Sequence, residues 1–191
     1  MSSLYHLGKS TELITQGDIL FDVPIITIGI NHIESLPDFT FENLEKHSEV
    51  LVETKNLIVM SQACDLANEP ERGRKPIESV ICASIYPINA YSKNLVSETN
   101  SGRRPGYFIL HKEHEVLDKS YIIDYSKLHT LPYAFLDAFA KKQTKRLRPT
   151  NPYLEQISHH FGNFFSRVGS DFERSNKEIL QEYDDLGTSK K

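Results

Sequence analysis

The sequence predicts an α+β domain in which a small, strongly curved sheet or β-barrel carries C-terminal helices packed on it. Three observations predict this class. Strand signals crowd the first 125 residues, the hydrophobic period turns helical near Pro132, and no helical stretch separates the strands as a parallel βαβ series requires. A chain of 191 residues is close to the length of one domain. The expected layout is therefore one domain over 1–170, an insertion over about 31–48, and a polar tail over 171–191.

The elements follow in order. Ile19 to Ile30 is dense in β-branched residues and reads as a strand, and Pro24 restricts it to an edge or a bulge because proline cannot donate to a ladder. Val50 to Val52 and the apolar run Leu57 to Met60 are the next strand signals, followed by the charged loop Asn68 to Pro76. Glu78 to Tyr86 is a strand, Asn89 to Pro105 a polar loop, and Tyr107 to Leu110 and Tyr121 to Ile123 two short strands. A helix then starts near Pro132 and runs to about Lys142, with Phe135, Leu136 and Phe139 on one face. The last helix has Asn151 as cap, Pro152 at its first position and Gly169 as its stop. Its apolar arc is Tyr153, Leu154, Ile157, Phe161, Phe164, Phe165 and Val168.

Composition narrows the functional classes. Apolar residues make up 39% and charged residues 25%, which excludes disordered and collagen-like chains, and a net charge of −4 excludes a uniformly basic nucleic-acid coat. Two cysteines, Cys64 and Cys82, are too few for a disulfide framework. The start MSSLYHLGKSTELITQGD lacks the pattern of a secretory signal, and no apolar run approaches the roughly 20 residues of a membrane span. The expectation is a cytoplasmic protein without a membrane contact.

Chemistry concentrates at the turn SQACD, which directly follows the apolar run. A strand end can project side chains into a cleft while the backbone stays rigid. In the catalytic reading Ser61, Cys64 and Asp65 act with a histidine base, His129 or His111, and Gln62 binds substrate. In the plainer reading the same residues build the turn and the cysteine is a small hydrophobe. Gln16 and Asp18, in the QGD that opens the first strand, are further substrate-binding candidates, with a tight entry turn as the structural alternative. The run KKQTKRLR holds five cations in eight residues: Lys141, Lys142, Lys145, Arg146 and Arg148. Joined by Arg72, Arg74, Lys75, Arg103 and Arg104 it could line a phosphate groove, although charge runs are also ordinary solvated helix ends. No ligand spacing supports a metal, and no glycine-rich phosphate loop supports a nucleotide cofactor. His160 falls at the edge of the aromatic arc of the last helix and His159 on its polar side.

The segments QGDI, SQACDL and FFSRVG, at Gln16 to Ile19, Ser61 to Leu66 and Phe164 to Gly169, resemble the marks of a group of uncharacterised bacterial proteins. That resemblance implies a family and no activity. The order of elements is also similar to the MazF/PemK toxin barrel, through the GDI strand, LIVMS, ICASIYPI, a late strand and a closing helix. The resemblance implies an SH3-like barrel of the kind those ribonuclease toxins share, with Ser61 matching the Ser or Thr at the end of the family's second core strand. Thr54-Lys55-Asn56 stands where that family places an arginine, so the match to the family's cleavage residues is incomplete. The leading expectation is a non-enzymatic or cryptic barrel-type interaction module that contacts RNA or DNA and a partner protein, in a toxin–antitoxin-like or phage-defence setting. The alternative is a hydrolase, either a ribonuclease or cysteine-dependent, centred on SQACD.

Overall fold

The computed structural model describes residues 3–30, 40, 48–67, 71, 73 and 75–166. The expected insertion and the polar tail lie almost wholly outside them. In chain order the elements are β1 (Tyr5–Leu7), β2 (Ile19–Ile30), β3 (Ser48–Val59), α1 (Ala63–Leu66), β4 (Ser79–Pro87), a 3-10 turn (Ile88–Ala90), α2 (Lys93–Asn100), β5 (Tyr107–Leu110), β6 (Tyr121–Pro132), α3 (Tyr133–Lys142), β7 (Leu147–Pro149) and α4 (Tyr153–Phe165). Seven strands form one sheet in the order β1-β7-β2-β3-β4-β6-β5, and every pairing is antiparallel. The fold is α+β, and no helix among the described residues is long and apolar enough to cross a membrane.

Period-2 alternation gives the sheet two apolar faces. On one, Ile19, Ile58, Ile85, Ile123 and Tyr125 meet Tyr153 and Ile157 of α4, with Phe161 and Phe164 packed beside them. On the other, Leu20, Leu57, Val59, Val80 and Cys82 meet Leu136 and Ala140 of α3, joined by Ile14 and Leu66. Each fully buried aliphatic side chain contributes about 1.5–3 kcal/mol of transfer free energy, so these two layers hold the sheet between the helices. Pro24 sits just beyond a bulge: the register of β2 shifts between Leu20 and Val23, where Asp22 takes a positive φ of 54°. Val50 to Val52 and Leu57 to Met60, two signals in the sequence, belong to the single strand β3 and its end.

The sheet is not closed into a barrel. Its edge strands are β1 and β5, and no backbone ladder joins them among the described residues. Side chains bridge the gap instead. The Glu113 carboxylate, three residues past β5, accepts from the amides of Leu4 (3.0 Å) and Tyr5 (3.2 Å), and the Tyr5 hydroxyl donates to the carbonyl of His111 (2.8 Å). The turn that carries Glu113 thus ties β1 to the residues after β5 through side chains, without a ladder.

Two further differences come from local chemistry. The polar loop after β4 contains the helix α2, started by Ser92, whose side chain accepts from the Leu95 amide at 3.3 Å. At α4 the first helical residue is Tyr153, Pro152 takes the N-cap place, and the bond between Asn151 and Pro152 is cis. The expected stop at Gly169 lies outside the described residues.

Candidate functional site

The SQACD turn is spent largely on structure. Ser61 is buried, and its hydroxyl accepts from the Ile81 amide at 2.9 Å, adding one side-chain rung to the pairing of β3 with β4. Gln62 is the N-cap residue of α1, and the Asp65 carbonyl accepts from Ile77 N at 2.9 Å. Cys64 is exposed, with its sulfur 3.6 Å from both Gln62 Oε1 and Asp65 Oδ1. No hydrogen bond joins it to a histidine among the described residues. Cys82 is fully buried, and burial pushes its thiol up to about 12. In the native protein one thiol per chain, Cys64, is therefore expected to react with a thiol reagent near neutral pH, and the second only on unfolding. Mass counting of labels on native and denatured protein checks this; two native labels would show that the β4 face opens.

His129 lies on β6 opposite Cys82, and its Nε2 is 2.9 Å from the hydroxyl of Ser84. Ser84 is only 1% exposed, so this is a hydrogen bond inside the sheet and not an approachable nucleophile and base. Burial first, and then the positive charge of Lys55, hold the His129 imidazole below its ordinary value and keep it neutral at pH 7. A histidine with a folded-state pKa depressed below its unfolded value stabilises the fold fully above the unfolded value near 6.5. That stabilisation is lost as pH falls through the window between the two. An NMR titration is expected to place the His129 midpoint below the ordinary histidine value near 6.5, and an equal or higher midpoint would refute the assignment.

The QGD candidates turn inward. Asp18 is fully buried; Arg148 Nε donates to its Oδ1 at 2.7 Å, the Thr15 amide donates to its Oδ2 at 2.9 Å, and Arg146 Nε stands 3.9 Å away. Arg146, itself buried, spends its other donors on the carbonyls of Lys9 and Glu12. Gly8 leaves the room for it, since a Cβ there would sit 2.6 Å from Arg146 Nε. Gln16 donates to Ser158 of α4 at 3.1 Å, and Gly17 between them has a φ of 82° that only glycine adopts freely. Of the basic run, Arg146 and Arg148 thus balance Asp18, Lys141 pairs with Asp137 at 2.6 Å, and Lys142 and Lys145 remain exposed. Arg104 pairs with Glu98. Arg72 and Arg74 lie outside the described residues.

A pocket that the sequence reading missed opens on the second sheet face, between α2 and the end of β5. Its volume is about 610 Å³. Ile88, Val96 and Ile109 supply an apolar floor, and Asn89, Tyr91, Lys93, Asn100 and His111 bring polar groups to the rim. Among the described residues, Lys93 is the one permanently charged residue of the lining, and no carboxylate shares it. Its walls are fixed from behind. Tyr91 stands edge-on to Tyr86 and Tyr107, and its hydroxyl donates to Asp124 at 3.4 Å. Burial, aided by that carboxylate, raises the Tyr91 pKa and keeps the phenol neutral. His111 is held by its backbone: its amide donates to the Tyr153 hydroxyl at 3.0 Å, and that hydroxyl donates on to Ile109 O at 2.7 Å. The sequence signal for this site was the Ser92 cap, which turns an apparent loop into a helix facing β5.

Among the described residues no group of three His, Cys, Asp or Glu side chains could hold a metal ion. Comparison with protein-family models, with curated proteins and with solved structures finds no match for the chain.

Proposed function

We propose that the protein is an interaction module whose pocket between α2 and β5 receives a nucleotide unit of a single nucleic-acid strand. The observation that carries this reading is the lining: an apolar floor and a tyrosine wall beside a lysine, with no carboxylate among the described lining residues. Single strands are held in this way, by bases against apolar and aromatic surface and by cations along the backbone. Lys93 also opens α2, so the positive end of that helix adds to its charge. Asn89 and Asn100 supply amides that can bond base edges. The competing hydrolase reading has less support, because Cys64 meets Gln62 and Asp65 while Ser61 is bonded to the Ile81 amide and His129 to Ser84, so among the described residues neither joins the thiol in one hydrogen-bonded set.

Fluorescence anisotropy with labelled RNA and DNA single strands of about 12 nucleotides, at low salt where phosphate attraction is greatest, tests the proposal. Binding should weaken about tenfold in Tyr91→Ala. The salt slope should fall by about 0.7 in Lys93→Ala, one phosphate contact fewer. The double variant Lys142→Ala/Lys145→Ala, away from the pocket, should leave the affinity nearly unchanged. No binding to either strand, or loss only in the double variant, would overturn it.

A further inference from the structure

The second sheet face is covered in two places. Helix α3 seals it over Leu57, Val59, Val80 and Cys82, and α2 faces it at Ile109 of β5, in the floor of the pocket. Between the two runs a strip of sheet. From Ile109 the cross-strand row passes through Ile122 of β6 to Tyr86 of β4. Lys55 of β3 comes next on the same face, because Ser84 pairs with Leu57 and a shift of two residues along each antiparallel strand brings Tyr86 opposite Lys55. The Lys55 charge acts on both Tyr86 and His129, which places all three side chains together. Each of the three is partly exposed. The strip thus starts at the pocket, crosses the Tyr86 ring, which stands edge-on to Tyr91 with centroids 6.1 Å apart, and ends at a cation.

Two carboxylates flank that strip, and they behave differently. Asp124 is buried and its oxygens are occupied: the Ser126 amide and hydroxyl donate to one at 3.0 and 2.6 Å, and Tyr91 donates to the other. Glu53 is exposed and pairs with Lys55, whose ammonium holds the Glu53 carboxyl below its ordinary range. An exposed ion pair contributes little stability, so a phosphate replaces Glu53 on Lys55 at small cost.

We propose that the single strand seated in the pocket leaves it across Tyr86 and sets a second phosphate on Lys55, displacing Glu53. The inference rests on the nucleic-acid reading of the pocket and adds to it a direction, a second phosphate site and a competing carboxylate. At about 4.8 Å per strand, the three steps from β5 to β3 measure roughly 14 Å, the length of about four stacked nucleotides at about 3.4 Å each. A strand of about 12 nucleotides therefore reaches both lysines.

Anisotropy of the same labelled strands with the full chain, repeated across a salt series, reads the second contact. Lys55→Gln should weaken binding at low salt by about threefold to tenfold and lower the salt slope by about 0.7, and Lys55→Gln combined with Lys93→Ala should lower it by about 1.4, two phosphates fewer. Glu53→Gln should act in the opposite sense and tighten binding by about twofold to fivefold, because it removes the competitor for Lys55. Glu155→Gln makes the same change of charge on the exposed side of α4, which packs on the other sheet face, and should leave the affinity unchanged. Circular dichroism confirms that each variant is folded, as substitution at exposed or partly exposed positions predicts. Binding that responds to Lys93→Ala and Tyr91→Ala but keeps its affinity and slope in Lys55→Gln overturns the path and leaves the pocket reading standing. Equal tightening in Glu53→Gln and Glu155→Gln overturns it as an effect of net charge alone. Absence of binding to either strand overturns the pocket reading itself, and the path with it.

Discussion

Replacing Asp18 by asparagine is expected to lower stability by about 3–5 kcal/mol, the range for removing one partner from a buried ion pair. The substitution keeps an oxygen for the Thr15 amide and removes only the charge. Arg148, hydrogen-bonded to Asp18 at 2.7 Å, and Arg146, 3.9 Å away and almost wholly buried, then lose the carboxylate that balances them. Glu12 stands 3.6 Å from Arg148 and 3.7 Å from Arg146, but it is only partly buried and its field is screened by water. In a domain of this size the loss corresponds to a melting temperature lower by about 6–20 °C. Urea unfolding at constant slope measures it, and a change below about 1 kcal/mol would mean that water reaches the guanidinium groups.

Truncating Ile157 to alanine should cost about 2–5 kcal/mol, the transfer term plus the cavity left behind. Ile157 is 1% exposed and sits at the centre of α4, within the layer that includes Ile123, Tyr125 and Tyr153. Rigid aromatic neighbours collapse poorly into a hole, and Tyr125 is further tied to the Ile157 carbonyl by its hydroxyl at 3.4 Å. Glu155→Ala on the exposed side of the same helix should change stability by no more than about 0.5 kcal/mol. Equal small effects at both positions would show that α4 is not seated on the sheet.

What could be read in the sequence divides along contact range. Strands β4 and β5 and the helices α3 and α4 carry their own periodicity, and His160, placed at the edge of the aromatic arc, does pack against Phe108 and Tyr125. Strands β1 and β7 have three residues each and exist through pairing with each other, so no local pattern announces them. The site suffered from the same limit. Asp18 and Arg148 are 130 positions apart, and each alone looks like a surface charge. Leu147 faces the core between Arg146 and Arg148, but one apolar residue flanked by two cations is too short a pattern to mark a strand or its buried partners. SQACD looked catalytic by residue type, yet Ser61 is consumed by a backbone amide 20 residues away, which residue type cannot reveal.

The junction at Glu113 sets an order of assembly. Strand β1 precedes the rest of the sheet in the chain, but its neighbour β7 and its acceptor Glu113 lie more than 100 residues downstream. Its docking must wait until both have emerged, after the β2–β3 and β4–β6 pairings, whose loops are far shorter and cheaper in entropy to close. Strand β1 is therefore made before the strands it packs with and is the last of them to find its place. Until then the edge of β7 stands open, and the growing protein is at its most vulnerable to pairing with strangers.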